Sequence, residues 1–220
     1  EGLDLVLARD VSVSMLSKDF KPNRLEQSKD VAESFIDQRP YDRIGIVAYE
    51  GEAFTQVPVT TDHVVVKTGI KGLKTGMLEG GTAIGMGLAT AVNRLRQSEA
   101  KSKVIILLTD GMNNAGQIEP IDAAQLAELN DIRIYTIGVG TIGKAYSPVA
   151  IIGNEYKYDW VDVQIDEDAL MAMAEKTKGK YFRATNAGKL ASIYDENDEL
   201  EKTRFNVMRY QRKTEAYLPF

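Results

Sequence analysis

The sequence has 220 residues, a formal net charge of −5, 44% hydrophobic residues and 27% charged residues. A chain of this size and composition buries the core of one large α/β domain and is not a disordered segment. The absence of cysteine excludes disulfides, thiolate metal sites and cysteine nucleophiles, and a single histidine excludes a histidine metal cage. The acidic balance argues against a nucleic-acid binder, and no run of about eighteen apolar residues marks a membrane span.

In chain order, residues 3–10 (LDLVLARD) predict a first strand, and the chain begins abruptly on the approach to it, as an excised domain would. Asn23 supplies an N-cap and Glu26 a capping-box acid for a helix whose Leu25, Ala32, Phe35 and Ile36 recur at helical spacing up to about Gln38. Residues 43–49 (RIGIVAY) read as a second strand. After the Gly51-Glu52 turn, residues 53–57 return as a short strand, and so tight a return allows only antiparallel pairing at a sheet edge. Asp62 caps a helix to about Lys71, and Ile84, Leu88, Ala91 and Leu95 mark another, opened by Gly80-Gly81-Thr82. Residues 103–109 (KVIILLT) form the continuous β-branched and leucine run that a central parallel strand requires. Residues 121–129 predict a helix, 133–139 a strand, 166–177 a helix and 180–183 a last strand. Leu190, Ile193, Tyr194 and Leu200 line a final helix. Residues 141–165 break the rhythm, and their alternation (Tyr156, Tyr158, Trp160) suggests a hairpin insertion. From about Thr203 the tail is polar and aromatic without a clear period. The expected class is α/β: a mostly parallel central sheet with an antiparallel edge strand and helices on both faces. One domain covers residues 1–205, and 206–220 form a tail.

The first strand ends in Asp10-Val-Ser12-Val-Ser14 and the central strand in Thr109-Asp110-Gly111. In an open parallel sheet the carboxyl ends of the strands border the ligand crevice, and Thr82 opens a helix toward the same rim. Two carboxylates and three hydroxyls converging there make a hard, all-oxygen set suited to Mg²⁺ or Mn²⁺. The carboxylates nearly neutralise such an ion and the hydroxyls donate weakly; if the hydroxyls bind directly and the carboxylates act through water, the metal stays electron-poor and favours an anionic oxygen from outside. Such a site is built to capture a carboxylate.

Other features have plainer readings. Gly138-Val-Gly140-Thr-Ile-Gly143 matches G-x-G-x-x-G, but Tyr146-Ser147-Pro148 and an alternating segment follow where a dinucleotide site needs a helix. His63 at a helix start reads as a surface or capping histidine rather than a general base. Ser12 and Ser14 have no adjacent base that would make either a nucleophile. An aspartyl-phosphate role for Asp10 lacks the second acid expected where Ser12 stands. Met171 and Met173 are two apart, so one of them packs centrally in the core. The acidic run 195–201 reads as a solvated helix face. Asn113 and Asn114 are either turn formers or shapers of the rim.

The D-x-S-x-S of Asp10, Ser12 and Ser14, the loop Thr82 and the T-D-G of Asp110 resemble the metal-ion-dependent adhesion site of von Willebrand factor A (VWA) domains, over about residues 3–202. The stretches DFKPNRLEQSK, EGGTAIGMGLATAVNRLRQS, KSKVIILLTDGMNNAG, IRIYTIGVGT and KGKYFRAT are more narrowly similar to BatA-type bacterial aerotolerance proteins. The resemblance implies a Rossmann-like VWA fold with these five residues as metal ligands. It further implies a non-enzymatic adhesion or scaffold module, in a membrane-associated stress-tolerance complex with sister VWA proteins and a MoxR-type AAA+ ATPase. Such a domain is soluble and periplasmic, on a protein anchored in the bacterial inner membrane by flanking segments. Tyr210, Tyr217, Leu218, Pro219 and Phe220 then suit a juxtamembrane tail. Two positions depart from the pattern. Val13 stands where many relatives carry glycine. Arg9 occupies a usually apolar strand position, where an inward side chain pairs with a carboxylate and competes with metal, and an outward one does nothing. The competing functions are a scaffold with a vestigial metal site and a Mg²⁺-dependent phosphate-ester hydrolase, which needs a base or nucleophile beside the metal.

Overall fold

In the computed structural model, residues 2–216 are described, with side chains described through 204 except 203. The strands are β1 (Asp4–Asp10), β2 (Arg43–Tyr49), β3 (Ala53–Thr60), β4 (Lys103–Thr109), β5 (Ile132–Val139), β6 (Lys144–Ile152), β7 (Glu155–Asp162) and β8 (Tyr181–Ala184). The central sheet has the order β3-β2-β1-β4-β5-β8, and β6 and β7 form a separate two-stranded sheet. β2, β1, β4, β5 and β8 run parallel, while β3 returns antiparallel along β2. Strand β3 extends to Thr60, beyond the short return expected from its sequence.

The apolar runs divide between two cores because successive side chains of a strand face opposite sides. Ile106 and Leu108 of β4 join the core under α1 (Arg24–Asp37), α2 (His63–Lys71) and α6 (Ala187–Ala216). Ile105 and Leu107 join the core under α3 (Ile84–Leu95), α4 (Pro120–Leu129) and α5 (Glu167–Lys176). Asn23 Oδ1 accepts from the Glu26 amide at 2.9 Å, whereas the Glu26 carboxylate turns to Lys29, so half of the capping box is made. Helix α3 lies close on the sheet at Gly87, where a Cβ would stand 2.4 Å from the Tyr49 ring.

The amino ends of the strands form one edge of the sheet. There the buried Glu201 of α6 accepts from Ser102 Oγ at 3.1 Å and from the Tyr135 hydroxyl at 2.5 Å, and it pairs with Arg133. Asp4 at the start of β1 accepts from Arg43 and Ser98. These contacts correct the reading of 195–201 as a solvated face. Asn197 and Glu201 are buried, and Asp198 pairs with Arg39 at 2.7 Å. Helix α6 continues without a break to Ala216, through the segment from Thr203 in which the sequence shows no clear period. The expected juxtamembrane residues Tyr217, Leu218, Pro219 and Phe220 lie outside the described residues, and the Tyr210 side chain is likewise not described.

Candidate metal centre

The opposite edge, at the carboxyl ends of β1 and β4, brings the two aspartates together. Asp10 closes β1, and a 3-10 turn over Val13–Leu16 carries Ser14. The Ser12 amide donates to Asp10 Oδ1 at 2.9 Å, and Thr109 donates to Asp10 Oδ2 at 2.7 Å. Ser12 Oγ and Ser14 Oγ are 3.0 Å apart, and Ser14 Oγ donates to Asp110 Oδ1 at 2.6 Å. Four of the five residues expected at the rim are thus linked in one chain of hydrogen bonds, which passes through the Ser12 amide.

Thr82 arrives on the neighbouring loop and is held through its backbone. Its amide donates to Asn114 Oδ1 at 2.8 Å, and its carbonyl accepts from the Asn114 amide at 3.0 Å. A Cβ on Gly111 would lie 4.0 Å from Thr82 Oγ1, so the hydroxyl faces the loop that follows Asp110. Asn113 Oδ1 accepts from the Gly85 amide at 3.4 Å. The two asparagines therefore shape the rim by joining its second and third loops. Glu50 supports the same loop from beneath, accepting from the Gly76 and Leu78 amides, while its carbonyl accepts from Ala83.

Arg24, which belongs to no motif of the sequence, is part of the site. Its Nη1 donates to Asp110 Oδ2 at 2.8 Å, while Nε and Nη2 grip Asp19 at 2.8 and 2.7 Å. Asp19 also accepts from the Thr141 amide at 2.9 Å. Gly140 makes room for this network, because a Cβ there would stand 3.1 Å from the guanidinium, at a φ of +147°. Nothing local in the sequence marks Arg24, whose first helical position is an ordinary place for a solvated charge.

The electrostatics are unbalanced. Burial, and then the neighbouring charge of Asp110, push the Asp10 carboxyl up to about 7. Burial raises Asp110 as well, against the charge of Arg24 and the hydrogen bond from Ser14. Among the described residues Asp10 has neutral donors and no ion pair. No cluster of three or more His, Cys, Asp or Glu side chains able to hold a metal occurs among the described residues. A cation here must therefore take hydroxyl as well as carboxylate oxygens. The donor set fits a hard divalent ion: two buried carboxylates short of positive charge, with neutral hydroxyls between them.

Arg9 is buried but turned to the α1/α6 side, donating to the Tyr194 hydroxyl at 2.9 Å and to Ser28 Oγ at 2.6 Å. It therefore competes for neither aspartate. Val13 opens the 3-10 turn, whose bonds close normally, with Met15 N to Ser12 O at 3.0 Å. His63 sits at the far edge, with Nε2 2.8 Å from the Asp42 carbonyl. Gly140 and Gly143 turn the chain into β6 rather than into a helix, unlike a dinucleotide site. Met173 is buried and Met171 is 36% exposed, so one of the pair packs in the core.

Comparisons with known proteins agree with this architecture. The family model for the von Willebrand factor type A domain matches residues 4–196. An uncharacterised protein of Borreliella burgdorferi is 32% identical over 182 residues, which cover 82% of this chain and 53% of that protein. The chain thus spans about half the length of that curated relative. Among solved structures, the conserved hypothetical protein BatB of Bacteroides thetaiotaomicron is 29% identical with a TM-score of 0.79, covering 91% of this chain and 100% of that one. An aerotolerance-related membrane protein of Bacteroides fragilis is 27% identical with a TM-score of 0.74, covering 89% of this chain and 97% of that one.

Proposed function

The chain belongs to the von Willebrand factor A family, and from that premise we propose that it is a non-enzymatic interaction module that captures a partner's carboxylate on a divalent cation. Asp10, Ser12, Ser14, Thr82 and Asp110 would hold Mg²⁺ or Mn²⁺. The observation that carries this reading is the meeting of two buried carboxylates, Asp10 and Asp110, joined through Ser12 and Ser14, with no ion pair on Asp10 among the described residues. A bound cation supplies a Lewis-acidic position for an anionic oxygen. The protein's own groups do the arranging. Thr109 and the Ser12 amide orient Asp10, Arg24 and Ser14 orient Asp110, and the Asn114 clamp sets the Thr82 loop. The three hydroxyls add oxygen donors without adding charge, so an incoming carboxylate meets no third one.

The setting we propose is a bacterial membrane-associated stress-tolerance complex, with sister VWA proteins and a MoxR-type AAA+ ATPase as partners and the domain on the periplasmic side. Its support is the similarity to the aerotolerance-related membrane protein. Among the described residues no helix is long and apolar enough to cross a membrane, so anchoring would come from flanking segments. The hydrolase alternative gains no support, because the single histidine is tied to Asp42 at the far edge of the sheet.

A second reading has one specific observation in its favour. Arg24 already places a guanidinium on Asp110, which would let the rim serve as a self-neutralised scaffold with a vestigial metal site. Calorimetric titration with Mg²⁺ and Mn²⁺ separates the two. Heat that saturates in the parent protein and vanishes in Asp10→Ala supports capture. Equal traces from both proteins support the scaffold.

A further inference from the structure

The β6–β7 hairpin pairs with no strand of the central sheet. Its inner side is buried at Ala145 and Ser147, and it is tied to the segment that leaves the metal rim. Ser17 Oγ is 2.6 Å from Ser147 Oγ, and the Lys18 amide donates to the Tyr146 carbonyl at 2.9 Å. The pleat sends alternate residues outward. Tyr146 opposes Trp160 across the hairpin, and Tyr158 lies on the same side. The Tyr146 ring is 5.4 Å from that of Tyr158 and 5.7 Å from that of Trp160. Trp160 is 64% exposed, and Ile151 further along the same strip is 63% exposed.

Exposed aromatics such as Trp160 and Tyr146, here flanking the half-buried Tyr158, mark contact surfaces, because tryptophan and tyrosine bury large rigid areas at little entropic cost. The strip is continuous with the rim. Ser17 Oγ donates to the Ser14 carbonyl at 2.5 Å and stands 2.6 Å from the hydroxyl of Ser147, the neighbour of Tyr146, so the hairpin adjoins the rim directly. The Lys18 ammonium rests 4.2 Å above the Tyr158 ring and places a positive charge between rim and strip. That charge favours an acidic segment over a basic one crossing the boundary.

We propose that the captured carboxylate belongs to an extended peptide segment that runs from the rim across the hairpin and lays an aliphatic or aromatic side chain on Tyr146 and Trp160. An extended chain advances about 3.3 Å per residue, which sets that side chain about three residues from the acid. The inference rests on the carboxylate-capture reading and names the kind of partner that site takes.

Trp160 is the single tryptophan of the sequence, so its fluorescence reports on the strip. The probes are the blocked peptides acetyl-Glu-Ala-Ala-Leu-amide and acetyl-Glu-Ala-Ala-Ser-amide, titrated with Mg²⁺ present. The leucine peptide is expected to bind about tenfold more tightly and to shift the Trp160 emission to the blue. Followed by calorimetry, Trp160→Ala and Tyr146→Ala should bring the leucine peptide down to the affinity of the serine peptide while Mg²⁺ binding stays unchanged. Equal affinity for the two peptides, or an unshifted emission in the bound state, overturns the proposal. So does binding by neither peptide. A blue shift produced by raising the protein concentration alone also overturns it, since a second copy would then cover the strip. Binding of both peptides with equal affinity, lost in EDTA, sinks the strip and leaves capture standing. A leucine preference that persists in EDTA supports the strip and removes the metal's part.

Discussion

Arg24 Nη1 lies 2.8 Å from Asp110 Oδ2, with side-chain exposures of 3% and 0%. A rim that would hold a cation thus already carries one of its own, bonded to one oxygen of Asp110 and to both oxygens of Asp19. The other oxygen of Asp110 accepts from Ser14. The guanidinium therefore fixes how Asp110 is presented and offsets part of the site's negative charge.

Removing that guanidinium should separate its two effects. Arg24→Ala leaves Asp110 and Asp19 buried beside each other without their counter-ion, a change that typically destabilises by about 3–5 kcal/mol. Thermal melting without metal should show that loss. Added Mg²⁺ should then raise the Tm of the variant by more than it raises the Tm of the parent. An equal metal-induced rise in both proteins would show that Arg24 does not sense the site.

Metal itself should stabilise the native state in proportion to its saturation. At a free concentration one hundred times the Kd, the gain is about 2.7 kcal/mol. Melting curves recorded over a series of Mg²⁺ or Mn²⁺ concentrations should climb for the parent and stay flat for Asp10→Ala and Asp110→Ala. A parent curve that ignores metal would place the rim with the vestigial sites.

The loop that carries Thr82 depends on Glu50, whose buried carboxylate accepts from the Gly76 and Leu78 amides. Glu50→Ala strands these amides and should destabilise by about 1–3 kcal/mol. Asn114→Ala removes the acceptor of the Thr82 amide without touching Glu50. Metal titration of both variants should show weakened affinity, with the larger stability loss in Glu50→Ala.

Strong acid should weaken the opposite edge. Burial works to raise the Asp4 carboxyl, but hydrogen bonds from Arg43 and Ser98 outweigh it and hold Asp4 below the usual carboxylate range. An acid with a depressed native value contributes stability above its unfolded value of about 3.9, and loses it as the pH falls through the native value. Denaturant titrations below pH 4 should show a shallower acid loss for Asp4→Asn than for the parent.

The fold was legible because its strands are apolar runs punctuated by polar turns. The KVIILLT run of β4 could occupy only a doubly covered central position, and the register then carried Asp110 to the same edge as Asp10. The hairpin could be read from the alternation of Tyr156, Tyr158 and Trp160. Arg24 could not, since its partner Asp110 is 86 residues away and only the folded sheet joins them. Glu201 was hidden for the same reason, as an acid within an acidic run whose partners come from three distant residues. The later part of α6 carries no apolar stripe, and a helix without such a stripe leaves no period to read.

Asp4 and the Glu201 anchor mark one edge of the sheet, and Asp10 and Asp110 mark the other. Strand β1 joins the two edges, paired along its length with parallel β2 and β4. Tension applied between a partner seated at the aspartates and whatever holds the opposite edge therefore runs along the strands. It loads those ladders in shear, so that many hydrogen bonds resist together instead of parting one by one as in a peeled hairpin. A module that grips at one edge and is held at the other is in this way mechanically strongest along the line on which it would be pulled.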